Sequence, residues 1–271
     1  MSKLDLKEWT NRRRPVVGML HAPALPGSPR CGGDFEGITA AVLRDAEILA
    51  GEGVHAMMLE NFGDVPFFPG RVPVETVAAM TRLAGRLRDQ FDIPLGINVL
   101  RNDGQAALAV AASVGADFIR VNVLCGARVT DQGILQGIAH DLLRMRERLQ
   151  AGHIRIFADV DVKHSAPLGE RPIGEEAVEM IHRGGADALI VSGASTGAGS
   201  DIEQLRAVRA IAGASPVLVG SGVTAESLPA LWPDADGFIV GTSLKRDGDV
   251  TAPVDRDRVR ELMRVHARLA G

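Results

Sequence analysis

Short apolar runs alternate with longer amphipathic ones along almost the whole chain. Eight runs have the length and the Val/Ile/Leu content of buried strands: "PVVGML" from Pro15, "HAMMLE" from His55, "PLGINV" from Pro94, "DFIRVNV" from Asp117, "IRIFADVDV" from Ile154, "ALIVSG" from Ala188, "PVLVGSG" from Pro216 and "GFIVGT" from Gly237. Each is followed by good helix formers, as in "GILQGIAHDLLRMRERL" from Gly133 and "DIEQLRAVRAIA" from Asp201, both predicted helices. Turns such as "GVHAM", "GADFI", "GADAL" and "DADGF" end a helix and re-enter a sheet. Eight strand–helix units in a chain of about 250 residues predict an α/β fold of the (β/α)8 TIM-barrel type. The expected organisation is one domain over residues 1–271, with 1–14 as an N-terminal extension. The rival, a doubly wound open sheet, would carry GxGxxG after its first strand; here that strand runs into "HAPALPGSPRCGGDF".

The polar positions interrupt this pattern where the strands end, which in a barrel is where chemistry sits. The fifth strand closes on "ADVDVKHS", in which Asp159, Asp161 and Lys163 alternate with Val160 and Val162. Strand residues two apart share a face, so two carboxylates and an ammonium are expected together at the barrel mouth. His21, Glu60, Asn98 and Asn122 end or follow other strands and complete a candidate catalytic set, with Asn61, Arg101, Asn102, Asp103 and Arg120 nearby. Charges are costly to bury unless paired, so such a cluster suggests a polar site. The structural alternative is an ion-pair network in which Lys163 bridges the two aspartates, and Arg120 fits either reading. In the functional reading Asp159 or Asp161 is the general base, and Lys163 stabilises an oxyanion or acts as general acid. Two neighbouring carboxylates predict a charged Lys163, which disfavours Schiff-base chemistry. Glu60, Asp159 and Asp161 are alternatively ligands for Mg²⁺, which favours carboxylate oxygens together with substrate phosphate. His55, His140, His153, His182 and His266 fall at strand starts or on helices and read as structural.

The last two strands end in glycine turns, Gly220-Ser221-Gly222 and Gly241-Thr242-Ser243. Barrels that bind phosphate place it there, on backbone N–H groups that glycine leaves accessible. Hydroxyls of Ser221, Thr242 and Ser243 add donors, and Lys245 or Arg246 is the expected cation. The alternative is that glycine merely permits tight turns. "SGASTGAG" (192–199) is a candidate third glycine loop closing over ligand. The loop 64–73, with Phe67 and Phe68, is a candidate lid or oligomer contact, and a homo-oligomer is expected. Cys125 reads as a buried thiol rather than a nucleophile.

Composition narrows the partners. With 46% hydrophobic residues among 271 and a net charge of −4, the chain can build a large core and shows no basic patch for nucleic acid. It has no tyrosine, and aromatics make up 4%, which argues against a base-stacking platform. Cys31 and Cys125 lack metal or disulfide spacing, which fits a reducing cytoplasm. No apolar h-region opens the sequence, and no apolar run is long enough to span a bilayer; peripheral membrane contact stays open.

The stretches "VVGMLHAPALPGSP", "LENFGDVPFF", "GINVLRNDGQAALAVAASVGADFIRVNV", "ADVDVKHS" and "VLVGSGVTAES" together resemble the BtpA/SgcQ family, over nearly the whole chain. The resemblance implies a ribulose-phosphate-binding type of barrel. It implies two kinds of function: photosystem I biogenesis, from cyanobacterial members at the thylakoid surface, and sugar metabolism, from members that accompany sugar-uptake genes. It assigns no residue roles. The leading expectation is an enzyme acting on a phosphorylated sugar or sugar-like metabolite, of isomerase, lyase or glycosyl hydrolase/transferase type. The alternative is a non-enzymatic assembly or stability factor for a membrane complex such as photosystem I. A regulatory binder of phosphometabolites is a third.

Overall fold

The computed structural model describes Leu6 and residues 14–169, 171–192 and 202–271. Eight parallel strands close into a barrel: β1 (Val16–His21), β2 (Ala56–Glu60), β3 (Leu95–Asn98), β4 (Phe118–Val121), β7 (Arg155–Asp161), β9 (Ala188–Val191), β10 (Val217–Val219) and β11 (Gly237–Val240), with β11 pairing back to β1. These are the eight predicted strands. Among the described residues, helices α1 (Phe35–Gly51), α2 (Val74–Gln90), α3 (Gly104–Val114), α4 (Ala139–Arg148), α5 (Ile173–His182), α6 (Ile202–Ile211), α7 (Leu228–Leu231) and α8 (Arg256–Ala270) accompany the barrel.

Strand periodicity sorts the side chains into two cores. Val16, Leu20, Met57, Leu59, Leu95, Ile97, Ile156, Ala158, Val217, Val219, Phe238 and Val240 pack in one cluster with buried residues of the helices. The alternate positions Val17, Met19, Ala56, Met58, Phe118, Phe157, Ala188, Ile190, Leu218 and Ile239 fill the barrel interior, and Leu6 joins them. Phe118 and Phe157 stack there with centroids 4.6 Å apart. Burying such side chains contributes about 1.5–3 kcal/mol each. Gly96 makes room for that stack, since a Cβ there would lie 2.2 Å from Phe118 Cε2.

The same alternation, carried one step further up each strand, exchanges apolar side chains for polar ones. Register places Met19 beside Met58, then His21 beside Glu60, then Glu60 beside Asn98. Phe118 is followed on its face by Arg120 and Asn122, Phe157 by Asp159, and Ile190 by Ser192. Leu218 and Ile239 are followed by Gly220 and Gly241. The floor of the mouth is thus the next layer of an otherwise apolar interior.

Two sequence expectations fail here. The predicted helix from Gly133 begins only at Ala139. Residues 133–136 instead form β6 (Gly133–Gln136), hairpinned to β5 (Ala127–Thr130), and β8 (Ser165–Pro167) pairs with the other edge of β5. Thr130 Oγ1 accepts from Gln132 N (3.2 Å) and donates to Gly133 O (3.1 Å), and Gly133 takes φ +96°, so the turn outcompetes the helix start. Leu135 is buried with Val123 and Val162, while Ile134 faces out. The second failure is in β7. Asp159 pairs with Ile190 and Asp161 with the very next residue, Val191, so Val160 is an extra residue, a β-bulge. The bulge breaks the alternation, and the three charges of "ADVDVKHS" do not share a face.

Candidate functional site

A cavity of about 690 Å³ opens at the carboxyl ends of the barrel strands. It is lined by His21, Glu60, Arg101, Arg120, Asn122 and Lys163 together with Gly220–Thr224 and Gly241–Ser243. Of the predicted residues, His21, Glu60, Asn122, Lys163 and the two glycine turns therefore face one space, whereas Asn98, Asp159 and Asp161 do not line it. Asp131 from the β5–β6 hairpin, Phe62 and Phe67 from the segment after β2, and Arg258 from the first turn of α8 complete the walls.

Asp159 lies beneath this layer, 1% exposed. Its carboxylate accepts from Arg120 Nε (3.0 Å) and Nη2 (2.8 Å), from Asn122 Nδ2 (2.6 Å) and from Ser192 Oγ (3.2 Å). With both oxygens engaged it is arranged to hold Arg120 and Asn122 rather than to take a proton from a ligand. Asn122 Oδ1 is buried without a hydrogen-bond partner among the described residues.

Glu60 is the carboxyl that meets the cavity. Asn98 Nδ2 donates to its Oε2 at 2.6 Å, and His21 Nε2 stands 3.7 Å from Oε1. Burial raises the Glu60 pKa above the usual carboxylate range, against the pull of Arg120 and the Asn98 hydrogen bond. His21 stacks on Phe62, centroids 4.6 Å apart, and burial with nearby Lys245, Lys163 and Arg120 lowers its pKa to about 3. The pair is therefore a neutral imidazole beside a carboxyl that resists ionisation, not an ion pair.

Lys163 is half-buried at the rim. Its carbonyl accepts from Arg101 Nη2, and its ammonium makes no ion pair among the described residues. Its pKa is lowered to about 8, first by burial and then by Arg120, with Arg101 adding to the effect and Asp159 and Glu60 opposing it. This corrects the expectation that two aspartates hold the lysine; with a pKa of about 8 it still carries its charge for the most part at pH 7. Asp159 is taken by Arg120. Asp161, turned outward by the bulge, accepts from Arg128 Nη2 and from Gln204 Nε2 (3.1 Å). As neither the base nor part of the mouth, Asp161 belongs to a structural cluster with Arg128 and Glu176.

The three carboxylates offered as Mg²⁺ ligands go to different partners: Glu60 to Asn98, Asp159 to Arg120, Asp161 to Arg128. Among the described residues no three His, Cys, Asp or Glu side chains gather as a metal set. The residues present do not fit that ion.

On the glycine side, Gly222 takes φ +68°, which favours glycine, and a Cβ on Gly220 would lie 2.4 Å from Ile190 Cγ2. Ser243 Oγ donates to Val223 O at 2.6 Å, tying the two turns together. The predicted cation is corrected: Lys245 is 2% exposed and donates to Asp45 Oδ2 at 2.7 Å, away from the turns. Arg258 is the guanidinium that reaches this side. It went unread because it lies on the last helix, in the sequence far from either turn. The proposed third glycine loop lies, beyond Ser192, outside the described residues.

Other strand-end polar groups fasten the loops. Asn61 Oδ1 accepts from Leu100 N (2.7 Å), and Asn102 Oδ1 accepts from Val123 N (2.8 Å). Asp103 caps α3 through Ala106 N (2.9 Å). Burial raises the Cys125 thiol pKa, which agrees with its reading as an unreactive thiol. Phe67 lines the mouth while Phe68 is exposed. Among the described residues no helix is long and apolar enough to cross a membrane.

The profile of the BtpA family matches residues 12–268. The chain belongs to the BtpA family. An uncharacterised protein of Thermococcus kodakarensis is 49% identical over 93% of this chain and 94% of its own length. The Photosystem I biogenesis protein BtpA of Synechocystis is 42% identical, covering 94% of this chain and 89% of that protein. Among solved structures, KGPDC from Streptococcus mutans aligns with TM-score 0.59 at 14% identity, over 96% of this chain and all of that one. N-(5'-phosphoribosyl)anthranilate isomerase from Pyrococcus furiosus aligns with TM-score 0.55 at 13% identity, over 94% and 100%. At such identities the structural likeness speaks to the barrel alone.

Proposed function

We propose that the chain is an enzyme acting on a phosphorylated sugar or sugar-like metabolite by acid/base chemistry at the barrel mouth. The observation that carries this reading is that the glycine turns and the Glu60–Lys163–Arg120 group line one and the same cavity. A phosphate on the N–H groups of Gly220–Thr224 and Gly241–Ser243, with Arg258 adding charge, would fix one end of the substrate and carry its reacting carbons over Glu60. Glu60, whose pKa burial raises and which lines the cavity, is the acid/base group. Asp159 moves from base to positioning residue: it holds Arg120, whose guanidinium stabilises negative charge developing on substrate oxygen. Isomerase, lyase and glycosyl-transfer chemistry share these requirements.

The test is a thermal-shift screen with inorganic phosphate, sulfate, sugar phosphates and nucleotides, with and without Mg²⁺. A ligand at a hundred times its dissociation constant stabilises by about 2.7 kcal/mol. The expected result is a shift with phosphosugars that the Ser221→Ala/Thr242→Val double variant loses. Absence of a shift with every anion rejects the reading.

The second reading, an assembly factor for a membrane complex, draws on the 42% identity to the Synechocystis protein. On this reading the docking face would be the exposed Val129, Ile134 and Leu168, on and beside the small β6-β5-β8 sheet. In a complementation assay this reading expects Glu60→Gln to be tolerated and Ile134→Asp not; the enzyme reading expects the reverse.

A further inference from the structure

Of the thirty basic side chains in the sequence only four are lysines, at positions 3, 7, 163 and 245. Among the described residues, every ion pair between a carboxylate and a lysine or arginine uses arginine except one, Lys245 on Asp45. Among the described residues Lys163 is the lysine that lines the mouth cavity, and it forms no ion pair with any of them. It stands among Arg101, Arg120, Glu60, Asp159 and the neutral His21. Arg120 is already bound to Asp159, and Arg101 holds the Lys163 carbonyl, so two fixed guanidinium groups oppose a third positive charge between them. An arginine could serve as an anion clamp here but could never be deprotonated; a lysine in this setting can present a neutral amine.

We propose that Lys163 is a nucleophile that forms a Schiff base with a carbonyl carbon of the substrate. This deepens the reading of the mouth as a phosphometabolite site and rests on it for the substrate's anchoring. The neutral Nζ attacks the carbonyl carbon; the C–N bond forms as the C=O π pair moves to oxygen, which takes a proton from the Glu60 carboxyl. Nitrogen gives up one proton to the Glu60 carboxylate, giving the neutral carbinolamine and restoring the acid that protonates the departing hydroxyl. Its hydroxyl then leaves as water, taking a proton back from the site, while the nitrogen lone pair closes the C=N bond. The protonated imine draws electrons from a bond at the neighbouring carbon, and water later reverses the linkage. The substrate class is a phosphorylated aldehyde or ketone, and the reactions served are cleavage, formation or isomerisation next to its carbonyl.

The test uses the whole chain, pyridoxal 5'-phosphate and its unphosphorylated analogue pyridoxal as aldehyde probes, borohydride reduction and peptide mass mapping. Positions 3, 7 and 245 serve as internal references, and Lys163→Met as a blank. At pH 7.5 the expected result is labelling of Lys163 at least about tenfold above the reference lysines, following the larger neutral fraction of a lysine with a lowered pKa. Labelling of Lys163 should rise through a midpoint near 8. Equal labelling by both probes keeps the nucleophile and rejects the phosphate anchor; preference for the phosphorylated probe supports both. Labelling of Lys163 at or below the reference level with both probes overturns the proposal, whatever the thermal-shift screen gives.

Discussion

The carboxyl ends of β7 and β11 each deliver a lysine to the top of the barrel, and the two have opposite fates. Lys245, after β11, is sealed against Asp45, whose second oxygen also accepts from Val254 N at 2.9 Å. Lys163, after β7, is half-buried in the mouth with arginines for neighbours, because the aspartates beside it in sequence belong to Arg120 and Arg128. Residue type and position at a strand end are the same in both cases. What separates the paired lysine from the unpaired one is whether the carboxylates near it have already been claimed by arginine.

That contrast can be broken by measurement. The largest effect is expected from Lys245→Met, which leaves Asp45 buried without its cation and should cost about 3–5 kcal/mol in urea unfolding. Asp159→Asn strips the charge from beneath Arg120 and should cost about as much by the same argument. Next comes His21. Its folded pKa, about 3, lies below the ordinary 6.5, so between those values the unfolded chain binds the extra proton and stability falls as pH drops. Between pH 6.5 and 5 this amounts to about 1–2 kcal/mol. Glu60 contributes with opposite sign, since its raised pKa makes the folded state bind more protons. The difference between the wild-type chain and His21→Gln, measured at both pH values, therefore reports the imidazole. The smallest effect is expected from Lys163→Met: no pair is broken and a hindered charge is removed, so stability should stay within about 1 kcal/mol or rise. If Lys163→Met destabilises as much as Lys245→Met, the distinction between the two lysines fails.

The fold was legible because each barrel strand is buried on both faces, and eight continuous apolar runs at regular spacing suit few architectures besides a closed parallel barrel. The polar layer was legible for the same reason: His21, Glu60, Asn98, Asn122 and Asp159 each interrupt a run where a strand ends. Their division of labour was not. One inserted residue, Val160, sends Asp161 to the outside, and a bulge leaves no trace in the alternation of hydrophobic letters. Asn61, Asn102 and Asp103 look like site residues in sequence, yet each satisfies loop or helix-end backbone. Arg258 and Asp131 enter the mouth from elements that only the closed barrel brings near it. The hairpin of β5 and β6 hid behind helix-spaced apolar residues at Leu135 and Ile138.

β8 starts two residues after Lys163 and is hydrogen-bonded to β5, while Arg101 grips the Lys163 carbonyl. The backbone that presents the amine is therefore ordered before any ligand arrives. Fixing a residue of free loop consumes roughly 1–2 kcal/mol of conformational entropy. In a mouth with a loose strand end, that loss would be charged to each binding event. Here folding has already met it for Ser165–Pro167, and a ligand's interactions are left to act on the ligand itself.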